Sequence, residues 1–263
     1  MADRDTVRWP PKYDIFGVNV SATTYEELLA AVTEAVRKGV PAIVAHMPVH
    51  GLVAAVRDEA FRTQINGFDV VAPDGQPVRW ALAQFHDVRL QERVYGPEFM
   101  ARLCARAAQE GFGIYLYGSR QDVLDRLATA LTARFAGLRI AGREAPPFRP
   151  LTPEEDAAAV ARVNGSGAAV VFVGLGCPKQ EAFAYEHRGR IRAVQVCVGA
   201  AFDFHAGHKR MAPSWMQGCG LEWLHRLLQE PGRLGWRYLW TNTVFLFLAA
   251  RRWLQGPGRP RVR

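Results

Sequence analysis

Asp74 stands in the triplet Pro73, Asp74, Gly75, directly after the apolar run at 69–72. A carboxylate at a strand end can take a proton from a nearby hydroxyl, as a general base does. The plainer reading is a turn aspartate bonded to its own backbone. The run GLGCPKQE at 174–181 also leaves an apolar stretch without a linker. Gly174 and Gly176 let a backbone approach a ligand closely, and Pro178 suits the first turn of a helix. Amides at that helix start, with Lys179 and Gln180, would seat a diphosphate; a tight turn without a ligand is the alternative. Gly118 and Ser119 offer small residues and amides after another apolar run. In GAAFD at 199–203, Gly199 and Asp203 do the same, Asp203 either holding ribose or base hydroxyls or capping the next segment.

Other site chemistries find less support. The glycine run lacks both the P-loop and the dinucleotide fingerprint. The only Asp-x-Asp triplet is Asp3, Arg4, Asp5, close to the chain start. His46, His50, His205 and His208 are scattered, and Pro48 between the first two argues against a helical metal pair. No metal and no cofactor are expected. A departing anion would then be stabilised by cations and helix dipoles. Cys104, Cys177, Cys197 and Cys219 show no C-x-x-C spacing and read as reduced thiols.

Strand ends can converge only if a scaffold aligns them. Apolar runs at 15–20, 42–45, 69–72, 114–117, 139–142, 169–173 and 193–198 read as strands. Helical patterns lie between most of them. TYEE at 24–27 and TPEE at 152–155 are capping boxes that open two of these helices. This alternation predicts an α/β fold, a mostly parallel Rossmann-like sheet flanked by helices, with ligands beyond the carboxyl ends of the strands. Four segments are expected: a flexible N-terminus at 1–12, a core at 13–210, a basic helical appendage at 211–255 and a flexible tail at 256–263.

The charge is concentrated at one end. The 263 residues carry a formal net charge of +8. From His205 onward there are ten Lys or Arg against two acids, Glu222 and Glu230, so this segment holds the whole excess. Five of the seven tryptophans lie there too. Cations interleaved with Trp suit an anionic membrane surface, where the rings sit at headgroup depth; the alternative is a solvated basic face over a helical core. Nucleic acid would attract the same charges, but no recognition motif accompanies them, and none is expected as a partner. No run reaches the ~18 apolar residues of a spanning helix, and the N-terminus has no apolar h-region. The protein is expected in the cytoplasm, peripheral on the inner face of the membrane.

Taken together, these motifs resemble the WecG/TagA/CpsF family of bacterial glycosyltransferases. The matching pieces, in the family's order over about residues 15–245, are DVVAPDG at 69–75, RVYG at 93–96, YLYGS at 115–119, GLGCPKQE at 174–181, GAAFD at 199–203, MAPSW at 211–215 and GLEWLHR at 220–226, with Glu230, Pro231 and Arg233 beyond. The resemblance implies an inverting, metal-independent transfer of a sugar, such as N-acetylmannosamine, from a UDP-sugar to an undecaprenyl-diphosphate-linked acceptor in cell-envelope synthesis. It implies Asp74 as base and a family arginine at Arg93. It also implies an appendage that closes the site and docks the membrane through arginines matching Arg226, Arg233 and Arg237. The chain departs from the family's Thr-x-Asn pattern, reading Ala45, His46, Met47 in its place; His46 and His50 are the nearby polar candidates. Two other readings compete: a non-catalytic homologue that binds nucleotide sugar or lipid, and another Rossmann-type nucleotide enzyme. The appendage also offers a surface for a homo-oligomer.

Overall fold

The computed structural model describes residues 7–213, 215–216 and 220–255. The Asp3–Asp5 triplet, Ser214 of the MAPSW motif, Cys219 and the tail at 256–263 lie outside the described residues.

The chain opens with a hairpin, β1 (Lys12–Ile15) and β2 (Val18–Ser21). The sequence reading had one strand at 15–20. Phe16 at φ 56° and Gly17 at φ 88° instead turn the chain back, so that Ile15 pairs with Val18. Two successive positive φ values are what a tight two-residue hairpin turn requires. The non-glycine residue at the first of them hid the turn.

Next come α1 (Tyr25–Lys38), β3 (Ile43–Met47), α2 (Val49–Arg57), α3 (Glu59–Asn66), β4 (Val70–Pro73), α4 (Gln76–His86), α5 (Gly96–Glu110), β5 (Gly113–Gly118) and α6 (Gln121–Arg134). Then follow β6 (Ile140–Glu144), α7 (Pro153–Gly165), β7 (Ala168–Gly174), α8 (Lys179–Glu186), β8 (Val194–Cys197) and α9 (Ala201–His205). The chain continues through α10 (Glu222–Gln229) and the long α11 (Pro231–Leu254). Both predicted capping boxes form: Thr24 and Thr152 each accept from the backbone of a glutamate three residues on and receive its side chain in return. The sequence reading missed α2 and α3. Their signal was Asp58, whose Oδ1 accepts from the Phe61 amide at 3.0 Å to cap α3.

Six strands form one parallel sheet in the order β4-β3-β8-β7-β5-β6. Side chains alternate across it, giving two apolar layers. Val44, Ala72, Leu116, Phe172 and Val196 face α1, α5 and α6, while Ala45, Val71, Tyr117, Val173 and Cys197 face the hairpin, α2, α3, α4 and α8. The C-terminal helix joins the second layer: Phe245 of α11 is buried there and stacks edge-on against Phe16 at 5.7 Å. Among the described residues no helix is long and apolar enough to cross a membrane.

β5 and β7 end side by side on glycines, Gly118 paired with Gly174. Gly118, at φ 122°, ends β5, and a Cβ there would lie 2.7 Å from the backbone carbon of Gly174 at the end of β7. Gly118→Ala should therefore destabilise the protein by about 1–3 kcal/mol, since neither backbone can yield. Thr24→Ala, which removes only a helix cap, should cost about 1 kcal/mol. Urea unfolding of both variants checks the ranking.

Candidate active site

All six strands are parallel, so their carboxyl ends share one edge. A cleft of about 690 Å³ opens there, lined by residues that follow β3, β4, β5, β7 and β8 and by residues of α10 and α11. Asp74, Arg93, Ser119, Gly174, Gly176, Gln180, Gly199, Asp203, Arg226, Arg233 and Arg237 all line it. Two candidates do not. Gly118 lies behind the wall and shapes it through its contact with Gly174. Lys179 is exposed and outside the lining, although Gln180 and Glu181 beside it in the first turn of α8 line the cleft. Of the residues expected to seat a diphosphate on this loop, Gly174, Gly176 and Gln180 line the cleft and Lys179 does not.

Asp74 is held at the tip of β4, its amide bonded to the Met47 carbonyl at 3.2 Å. Its side chain is 17 % exposed. The segment carrying Arg93 is stapled across the neighbouring strand ends. The Val94 amide donates to the Pro73 carbonyl at 2.9 Å, and the Val94 carbonyl accepts from His46 Nδ1 at 3.1 Å. Arg93 is thereby placed so that its guanidinium donates to the Asp74 carbonyl at 3.1 Å and stands 3.8 Å from the carboxylate. It also lies over the Tyr95 ring, 4.8 Å from the centroid. Its other nitrogen pairs with Glu222 of α10, whose side chain is only 5 % exposed. Sequence reasoning counted Glu222 merely as an acid in a basic tail. Its isolation there, inside the GLEW motif, was the available signal.

The glycine loop after β7 is braced internally. Gln180 Oε1 accepts from the Gly176 amide at 3.2 Å, and Gln180 Nε2 donates to Glu181 at 2.9 Å. Both side chains are buried, so Gln180 fixes the loop from within. Burial pushes the Glu181 carboxyl above the usual carboxylate range. Asp203 is paired with Lys209 at 3.0 Å, and Lys209 reaches Glu230 at 3.2 Å, which binds Arg233. This chain of charges ties α9 to α11.

The cleft's unpaired positive charge gathers elsewhere. Arg226 and Arg237 have no carboxylate partner among the described residues; Arg226 lies 5.6 Å from the Phe204 ring, and Arg237 Nε is buried without a hydrogen bond. With Arg233 they surround His50, in the first turn of α2. Burial first, then Arg237, Arg226 and Arg233, lower its pKa to about 3. Guanidiniums in a cleft beside a helix N-terminus are the chemistry that can hold a multivalent oxyanion. Among the described residues no three His, Cys, Asp or Glu side chains group as a metal site would require.

Because the folded value of His50 lies below its ordinary 6.5, the folded protein binds fewer protons than the unfolded chain between about pH 3 and 6.5. His50 therefore costs stability as the pH falls through that window. Replacing Arg226 and Arg237 together with alanine should raise the His50 pKa toward 6.5, by removing two of the three cations. Histidine NMR titration measures it; an unmoved value would mean that the arginines do not set the local field.

The comparison with known families agrees with this arrangement. A sequence model described as the glycosyl transferase WecG/TagA/CpsF family matches residues 13–259, a span that includes the parallel sheet, the strand-end cleft and the helices that supply its arginines. The chain belongs to the WecG/TagA/CpsF family of glycosyltransferases.

Proposed function

We propose that this glycosyltransferase moves a sugar from a UDP-sugar to a polyprenyl-diphosphate-linked acceptor, with inversion and without a metal ion, for a cell-envelope or exopolysaccharide polymer. The observation that carries the reading is the division of charge across one cleft. The carboxylate of Asp74 lines the cleft at the end of β4, and Arg226, Arg233 and Arg237 line it with His50 in the first turn of α2. The acceptor hydroxyl attacks the anomeric carbon as Asp74 takes its proton. The bond from that carbon to the diphosphate oxygen breaks on the opposite face, and UDP leaves with the electron pair. Arg226, Arg233 and Arg237 balance the charge that develops on the diphosphate. Arg93, bonded to the Asp74 carbonyl, holds Asp74 in place.

The acceptor's lipid calls for a membrane nearby. Trp215, Trp223, Trp236, Trp240 and Trp253 are 63 %, 49 %, 72 %, 44 % and 67 % exposed, and Leu239, Leu246 and Phe247 are exposed with them. So much exposed apolar surface on a basic segment favours docking on anionic lipid at the cytoplasmic face of the membrane. The same segment lines part of the cleft, with Trp223 and Leu246 among the lining residues, which would let a lipid-linked sugar enter without leaving the bilayer surface.

UDP release with a short-chain lipid-diphosphate-sugar acceptor, measured in EDTA across a panel of UDP-sugars, tests the reaction. The wild type should release UDP only with acceptor, and Asp74→Asn should lower kcat by about 10²- to 10⁴-fold. Equal release by both would remove Asp74 as the base, and a requirement for added divalent metal would remove the metal-free mechanism. For docking, Trp236→Ser with Trp253→Ser should weaken sedimentation with anionic vesicles while leaving the melting temperature unchanged, both side chains being in solvent. Undiminished sedimentation would show that this surface is not what meets the lipid.

A further inference from the structure

His46 occupies an unusual place in the cleft. It is 5 % exposed and projects from β3 on the same face as Val44, with its ring 5.3 Å from that of Phe99. Nδ1 meets the Val94 carbonyl at 3.1 Å. A carbonyl only accepts, so this contact assigns the ring hydrogen to Nδ1. Burial lowers the ring's pKa, which keeps it neutral at physiological pH. The other nitrogen, Nε2, is then a bare lone pair. It is buried and has no hydrogen-bond partner, although the residue lines the cleft. A buried acceptor left unpaired carries a desolvation cost of about 1–3 kcal/mol, which a donor arriving in the cleft removes.

The surroundings narrow the donor. His46 and Asp74 are joined through one short segment: Val94 is bonded to His46 on one side and to Pro73, the neighbour of Asp74, on the other. The vacant lone pair therefore belongs to the half of the cleft that holds the carboxylate. The guanidiniums of Arg226, Arg233 and Arg237 gather instead around His50. Under the proposed transfer, this is the half of the cleft that the sugar end of a substrate would occupy.

We infer that His46 Nε2 accepts a hydrogen bond from a hydroxyl or amide N–H of the donor or acceptor sugar next to the reacting carbon, and so sets which sugar is transferred or received. This deepens the proposed transfer and rests on that reading. His46 thus serves two ends: Nδ1 holds the Arg93 segment, and Nε2 reads the substrate.

The two ends can be separated. His46→Asn keeps a donor near the Nδ1 position and removes the Nε2 acceptor, whereas His46→Ala removes both. The assay compares kcat/KM for intact substrates and for analogues in which one hydroxyl or acetamido group of either sugar is replaced by hydrogen. The wild type should penalise one particular deletion by about 10- to 100-fold. His46→Asn should turn over the intact substrate more slowly yet treat intact and deleted forms within about threefold, with a melting temperature near that of the wild type. In ¹⁵N-histidine spectra of the wild type, the Nε2 resonance should move with the intact sugar and not with the deleted one. If His46→Asn keeps the wild-type penalty for every deletion, or if Nε2 ignores every substrate that turns over, the inference is wrong while the transfer reading stands. If the wild type releases no UDP with any donor and acceptor, the transfer reading fails and takes this inference with it.

Discussion

The contact on which the site depends is the one Arg93 makes with two carboxylates at once. Asp74 is anchored to the sheet and Glu222 to the first turn of α10, and Arg93 stands between them. Glu222 is buried, and charges in such a place are costly unless paired. The partner of Glu222 comes from the loop between α4 and α5, so undocking α10 would break this pair and leave Arg93 with Asp74 alone. Arg93 thus links the C-terminal helices to the strand end that carries Asp74. The second tie, from Asp203 through Lys209 and Glu230 to Arg233, works in the same direction.

That coupling explains how the cleft divides its charge. Acids and their partners account for Arg93, Lys209 and Arg233, and each of those cations is already engaged. Arg226 and Arg237 carry the surplus, and both come from the helices that Arg93 holds down. The strand-end glycines contribute shape: Gly118 and Gly174 let β5 and β7 finish flush, which leaves a continuous wall above the sheet. A parallel sheet places its loops at one edge whatever the sequence; the C-terminal helices add the arginines that line it.

Much of this was legible beforehand because it is local. Thr24 with Glu27, and Thr152 with Glu155, carry their own geometry in a four-residue pattern. The apolar runs before Asp74, Ser119, Gly174 and Gly199 marked strand ends correctly, so most residues expected at the site do meet in one cleft. What escaped was long-range or strained. The hairpin turn hinges on Phe16 in a conformation that its residue type does not advertise. Lys179 is next to the glycine loop in sequence, but the first turn of α8 points it to solvent. Glu222 acquires its role only by meeting Arg93, 129 positions away. No local pattern reports such a pair.

The departure at 45–47 shows the same distinction at the scale of one strand. Ala45 and Met47 stand where the resemblance leads one to expect threonine and asparagine, and both side chains are buried against the α2 layer. His46, between them, faces the opposite side, as period-two alternation requires. It therefore cannot replace the missing hydroxyl or amide in place. Met47 packs against Gly51 in α2, where a Cβ would lie 3.0 Å from the Met47 sulfur. One face of β3 thus packs beneath the helix that presents His50, while the other sets the His46 imidazole at the cleft, bonded to Val94.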